Sequence, residues 1–300
     1  MDMLKIGFIG LDTSHVTAFT KLLNDPQSEH HIPGTKVTVA WPGGSPDFDL
    51  SRDRVDGFTK TLRDEYHVQI VDSPEAVADA CDLLFIESVD GRVHREQFSR
   101  TVRFGKPTFI DKPLATTLAD AREIVRLAEA SGVPLMSCSS LRFADALQAA
   151  LAGGRDDILG CDVFGPMSEQ PTQPGLIWYG CHSVEMMVAA MGTGCAEVRC
   201  LRTDGHDLLT AVWKDGRIAS LHGLRGGQGK FGMTLHRKGS CAFIDGGVGR
   251  PCYAGLLAAI LDSLPHRRSA VPAGEMLEII AIMEAANQSR ANNGTPVKLG

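Results

Sequence analysis

The sequence predicts an α/β chain in two parts: a doubly wound parallel sheet, then an α+β part with an antiparallel sheet. Three observations carry this. Up to about residue 140, short apolar runs alternate with helix-period segments. Those runs are nearly unbroken in apolar character, as strands covered on both faces are. Beyond residue 140, longer strand-like runs are joined by tight turns. The predicted domains are therefore 1–140 and 141–300, an ordinary division for 300 residues.

In chain order, Leu4-Lys-Ile-Gly-Phe-Ile9 is the first strand. Val16, Phe19, Leu22 and Leu23 then form one face of a helix opening near Thr13-Ser-His15. Val37 to Trp41, Val68 to Val71, Cys81 to Ile86, Pro107 to Ile110 and Val133 to Cys138 continue the strand series. Leu118, Ala121, Ile124, Val125 and Ala128 mark the helix before the last of these. In the second half, Leu208–Trp213 and Arg217–Leu224 flank a hairpin tip at Asp215-Gly216. Phe231–His236 is expected beside Arg217–Leu224 as an antiparallel neighbour. Helices over Tyr253–Leu264 and Gly274–Asn292 close the chain.

Composition narrows the function classes. Hydrophobic residues are 43% and charged residues 22%, enough for two cores. The net charge of -6 with no basic cluster argues against nucleic acid. No apolar run approaches bilayer length, and Met1-Asp-Met-Leu-Lys5 leads straight into a strand. A soluble, cytoplasmic chain without a membrane partner is expected. None of the 8 cysteines forms a CxxC pair, so they read as reduced structural thiols.

The first turn reads Gly10-Leu-Asp-Thr-Ser-His15, where a dinucleotide site of the Rossmann type has G-x-G-x-x-G. Asp12 stands at the second glycine position and His15 at the third. Two readings stay open. Asp12 either caps the helix and repels a phosphate, or turns aside and leaves Thr13, Ser14 and His15 to donate to one. At the end of the second strand, Trp41 replaces the acid expected for a ribose. NAD and NADP are therefore not distinguished.

Phe109-Ile-Asp-Lys-Pro113 ends another strand in an acid–Lys–Pro tripeptide. Ligands bind at such strand ends. A lysine there can hold a hydroxyl or carbonyl oxygen and share in proton transfer. A cis bond before Pro113 is one way to make the turn. At this point the chain resembles the Gfo/Idh/MocA oxidoreductase family over nearly its whole length. Lys5 to Gly10, Glu87 to His94, Gly105 to Pro113, Arg142-Phe143 and Ala285 to Val297 carry the resemblance, with Asp111 in place of a glutamate. It implies a Rossmann domain, a second domain with an open antiparallel sheet, and NAD(P)-dependent chemistry on a sugar, cyclitol or similar polyol. It also implies a homodimer or homotetramer, with Lys112 as the catalytic lysine at substrate and nicotinamide ribose.

Trp178-Tyr-Gly-Cys-His182-Ser-Val-Glu185 is similar to the family's Asp-x-Gly-x-His segment. Gly180 and His182 match, and Trp178 stands where the acid belongs. A neutral His182 at a helix start can act as general base. Glu185, three residues on, either orients it or serves the helix. Trp178 and Tyr179 line a sugar pocket or belong to the core. No third ligand joins His182 and Glu185, so no metal site is expected.

The expected catalytic residues are thus Lys112 and His182. Gly10, Asp12, Thr13, Ser14, His15, Trp41, Asp111 and Lys112 are the cofactor-side candidates. Lys112, Arg142, Trp178, Tyr179, His182 and Glu185 are the substrate-side ones. Two further readings are an NAD-retaining glycosidase or epimerase without net redox, and a fold relative that has lost dinucleotide binding and holds a ligand or partner.

Overall fold

The computed structural model describes residues 3–227 and 229–300. It divides into two compact units. One holds residues up to 115 with 119–137 and 256–273; the other holds 116–118, 138–255 and 274–300.

The first unit is built on six strands: β1 (Leu4–Ile9), β2 (Thr35–Trp41), β3 (Gln69–Ile70), β4 (Leu83–Ile86), β5 (Thr108–Ile110) and β6 (Leu135–Ser137). Their order is β3-β2-β1-β4-β5-β6, and every ladder is parallel. This is the doubly wound sheet that the apolar runs predicted, with its switch point between β1 and β4. Helices α1 (His15–Asn24), α2 (Asp49–Arg52), α3 (Val55–Asp64), α4 (Pro74–Ala80), α5 (His94–Thr101) and α6 (Leu118–Ser131) connect the strands. Phe85 lies at the centre of the core, 5.6 Å from Phe8 and 5.2 Å from Phe109 between ring centroids. Each such buried ring contributes about 2–3 kcal/mol. Gly7 lets α4 lie directly on β1, since a Cβ there would sit 2.5 Å from Val77 Cγ1.

The second unit contains β7 (Ile158–Pro166), β8 (Cys195–Arg202), β9 (His206–Trp213), β10 (Ile218–Leu224), β11 (Gly232–Arg237), β12 (Cys241–Asp245) and β13 (Val297–Lys298). The order is β12-β11-β7-β10-β9-β8-β13. The Asp215-Gly216 hairpin forms as expected, with Gly216 at φ 88° between β9 and β10. The expected neighbourhood of β10 and β11 does not form. Strand β7 lies between them, parallel to β10 and antiparallel to β11, so the sheet is mixed. Helices α7 (Asp145–Leu151), α8 (Gly180–Met191), α9 (Cys252–Ser263) and α10 (Ala273–Ala291) complete the chain, with α9 passing into the first unit at residue 256. Nearly every residue of α8 is buried. Gly165 of β7 brings strand and helix together, because a Cβ there would meet Ser183 Oγ at 2.6 Å. No helix among the described residues is long and apolar enough to cross a membrane.

Candidate functional site

In the first unit, the predicted residues lie at the carboxyl ends of β1, β2 and β5. Gly10 has φ 87°, and a Cβ on it would strike Ser88. Asp12 is fully buried and does not cap α1. Its Oδ1 accepts from the Val89 N–H at 2.8 Å and its Oδ2 from the Ser51 hydroxyl at 2.6 Å. Burial raises its carboxyl above the usual range despite those bonds. Asp12 therefore straps the first turn to the segments following β2 and β4. The acid is thus turned aside from the helix start. Thr13 is buried beside it, while Ser14, the residue before α1, is exposed and makes no side-chain cap bond. Trp41 is half-buried at the end of β2. Asp47, in the following loop, is bound at both oxygens by Arg92.

His15 does not point away with the helix start. Its Nδ1 lies 2.8 Å from Asp111 Oδ2, and its ring stacks on Phe19. Burial opposes ionisation of Asp111, but the His15 and Lys112 charges hold its carboxyl down to about 2. Lys112 is half-buried at the end of β5, and the Lys112–Pro113 bond is cis. His94 is fully buried, with Nδ1 2.9 Å from the Pro113 carbonyl and Nε2 2.7 Å from that of Ser88, so it ties two loops together.

In the second unit, His182 sits in the first turn of α8. Its Nδ1 is 2.7 Å from Ser139 Oγ, and its ring lies 5.3 Å from those of Tyr179 and Phe231. Glu185 does not bond the imidazole directly. It accepts from the Ser139 N–H at 3.1 Å and from Arg142 Nε. Arg142 is committed inside the fold, since its Nη1 also donates to Glu275 at 2.7 Å. Trp178 and Cys181 are buried, the latter thiol directed at the Trp178 carbonyl. The described cysteines are all free thiols.

Residues 5–138 match the model of the oxidoreductase family with an NAD-binding Rossmann fold, GFO_IDH_MocA. That domain, just under half of the chain, is therefore similar to the NAD-binding domain of the Gfo/Idh/MocA family. Among curated relatives, the inositol 2-dehydrogenase of Cereibacter sphaeroides is 30% identical over 151 residues, 49% of this chain and 40% of that protein. The D-apiose dehydrogenase of Paraburkholderia graminis is 34% identical over 97 residues, 30% of this chain and 26% of its own length. The chain thus spans less than half the length of these relatives. The fold likeness runs further. The crystal structure of myo-inositol 2-dehydrogenase from Lactobacillus plantarum matches at TM-score 0.80 and 15% identity, covering 100% of both chains. That of GenD2 from gentamicin A biosynthesis, in complex with NAD, matches at 0.77 and 14%, covering 100% of this chain and 97% of the other.

Two residues at the centre of the geometry escaped the sequence reading. Glu87 follows β4 directly and is fully buried beside Asp111. Ser139 links His182 to Glu185. Neither has a spacing signal, because the partners are far apart in sequence. For Ser139 the geometry makes a prediction. Its Oγ accepts from the Leu141 N–H at 3.2 Å, which fixes the hydroxyl beside the imidazole. Ser139→Ala is expected to lower kcat roughly fivefold, the worth of one hydrogen bond of about 1 kcal/mol, and to change the pH dependence of kcat. Ser139→Thr should restore both. An unchanged pH profile in Ser139→Ala would remove Ser139 from the positioning of His182.

Proposed function

We propose that the chain is an NAD(P)-dependent oxidoreductase acting on the CH–OH group of a sugar, cyclitol or related polyol, within the cytoplasm and as a homodimer or homotetramer. The observation that carries this reading is Lys112 at the end of β5, beside an ionised Asp111, in a domain of this family. The named relatives act on inositol and apiose, which supports the substrate class. Exposed Leu201, Leu208, Ile218 and Phe243 on the strands of the second sheet support self-association.

The first turn fits a dinucleotide. Asp12 faces Ser51 and Val89 rather than α1, and the first turn of α1 carries no acid. When bound, the dinucleotide supplies the hydride acceptor or donor, and the chain supplies orientation. By the family resemblance, Lys112 is assigned to the reacting oxygen and His182, with Ser139 at Nδ1, to proton transfer.

The test is calorimetric titration of NAD⁺, NADH, NADP⁺ and NADPH into the native chain and Asp12→Gly. The native chain is expected to bind one of the two redox pairs. Asp12→Gly should gain no affinity and should lose about 1–3 kcal/mol of stability, because Val89 and Ser51 lose a buried acceptor. Binding absent from the native chain and restored in Asp12→Gly would overturn the reading. A second reading, turnover without net redox by a retained cofactor, draws on Trp178 at the position of the missing acid. A polyol screen that converts substrate without net NADH would favour it.

A further inference from the structure

We propose that His15, Glu87 and Asp111 form a site for one divalent transition-metal ion, with three protein ligands and an open coordination position. This goes beyond the oxidoreductase reading and does not depend on it. The sequence pointed to no metal, because the three residues come from three separate segments.

The geometry is that of a ligand set. One nitrogen of His15 and one oxygen from each carboxylate all lie within 4.8 Å of one another. Ligands bonded at about 2.0–2.2 Å around a tetrahedral ion lie roughly 3.3–3.6 Å apart, so the side chains would draw together on binding. The backbone holds it ready. Glu87 and Asp111 directly follow Ile86 and Ile110, which are register partners on β4 and β5. The Glu87 N–H donates to Ile9 O at 2.7 Å, and the Asp111 N–H to Ile86 O at 2.8 Å. The stack on Phe19 holds the His15 ring.

Glu87 is the independent sign that something belongs there. It is 0% exposed, and both carboxylate oxygens are buried without a hydrogen-bond partner. Buried carboxylates are almost always paired or bound to a cation. Burial and the adjacent Asp111 push its carboxyl well above the usual carboxylate range. A divalent ion reverses that balance, since two carboxylates and a neutral imidazole offset its charge. Imidazole with carboxylate oxygen suits Zn²⁺ or Mn²⁺ better than Mg²⁺ or Ca²⁺. His15 remains slightly open, its side chain 12% exposed, which leaves an approach to the ion.

The experiment uses the full chain, stripped with chelator and titrated with Zn²⁺, Mn²⁺ or Mg²⁺ alone, without dinucleotide. Calorimetry and elemental analysis should give one tightly held Zn²⁺ or Mn²⁺ per chain, with a rise in Tm and weak or no response to Mg²⁺. Glu87→Gln keeps the side-chain volume and removes a ligand charge. His15→Asn removes another ligand at a more accessible position. Each should weaken binding at least about 100-fold, more than loss of an outer-shell partner does. His222→Ala controls for the exposed His206–His222 pair, whose ring nitrogens are 3.0 Å apart, and should leave the tight site intact. No saturable Zn²⁺ or Mn²⁺ binding by the native chain would overturn the proposal. So would full binding retained in both Glu87→Gln and His15→Asn. A native chain that ignores metal but is stabilised by Glu87→Gln would mean that a proton, not a metal, holds the carboxyl pair. Because dinucleotide is absent, these outcomes are distinct from failure of the oxidoreductase reading.

Discussion

Lys112→Met is expected to leave the chain folded and to lower kcat by about 10²- to 10⁴-fold, the usual worth of a group that assists proton transfer and holds a reacting oxygen. Methionine keeps the unbranched length of the side chain and loses only the ammonium. Lys112 is half-buried, so little packing is lost. Asp111 should stay ionised in the variant, because His15 stands first among the charges that lower its pKa. The expected signature is therefore chemical rather than structural: Tm within a few degrees of the parent, and a loss carried by kcat more than by KM. Steady-state kinetics on a responsive polyol, alongside thermal unfolding, gives both numbers. A variant that turns over at the native rate would show that Lys112 merely caps the end of β5, and the oxidoreductase assignment would lose its main support.

The parallel sheet was legible because strands covered on both faces are mostly apolar, as β1, β2, β4, β5 and β6 are. Strand β7 was not legible for the opposite reason. Gly160, Asp162 and Gly165 interrupt its apolar pattern, and each glycine is there because of a neighbour. A Cβ at Gly160 would sit 2.4 Å from Ile218 O, and one at Gly165 would meet Phe231 and Ser183. Without β7, β10 and β11 looked adjacent, and the mixed character of the sheet was lost. The same limit applied to the site. Lys112 and His182 stand in local motifs, so their spacing announced them. Glu87 and Ser139 act through partners 24 and 43 or more positions away, as Asp12 does through Ser51 and Val89. Residue chemistry showed that Asp12 and His15 were unusual; only the fold shows where their side chains turn.

The largest loss of stability is expected from breaking the buried ion pair beneath His182. Arg142 and Glu185 have side chains only 6% and 3% exposed, and Glu275, also bound to Arg142, is 5% exposed. Arg155 reaches the other oxygen of Glu275 at 2.6 Å. Burial works against the Arg142 charge, yet Glu185 and Glu275 hold its pKa above that of an ordinary arginine. Removing one partner of such a group leaves the other charge buried and uncompensated, at a cost of about 3–5 kcal/mol. Arg142→Met should show this in full, since it leaves Glu185 without its cation and Glu275 with Arg155 alone. Arg142→Met combined with Glu185→Met should recover much of it, because Arg155 still answers Glu275 and the rest becomes apolar contact. Urea unfolding of the native chain, both single variants and the double variant reads the coupling directly. The pair also reaches the chemistry. Glu185 accepts from the Ser139 N–H, and Ser139 in turn holds His182 Nδ1. The double variant, even if restored in stability, should therefore remain slow, with a pH profile like that of Ser139→Ala. A double variant that is both stable and fully active would mean that the ion pair serves the fold alone and that Ser139 keeps its place without Glu185.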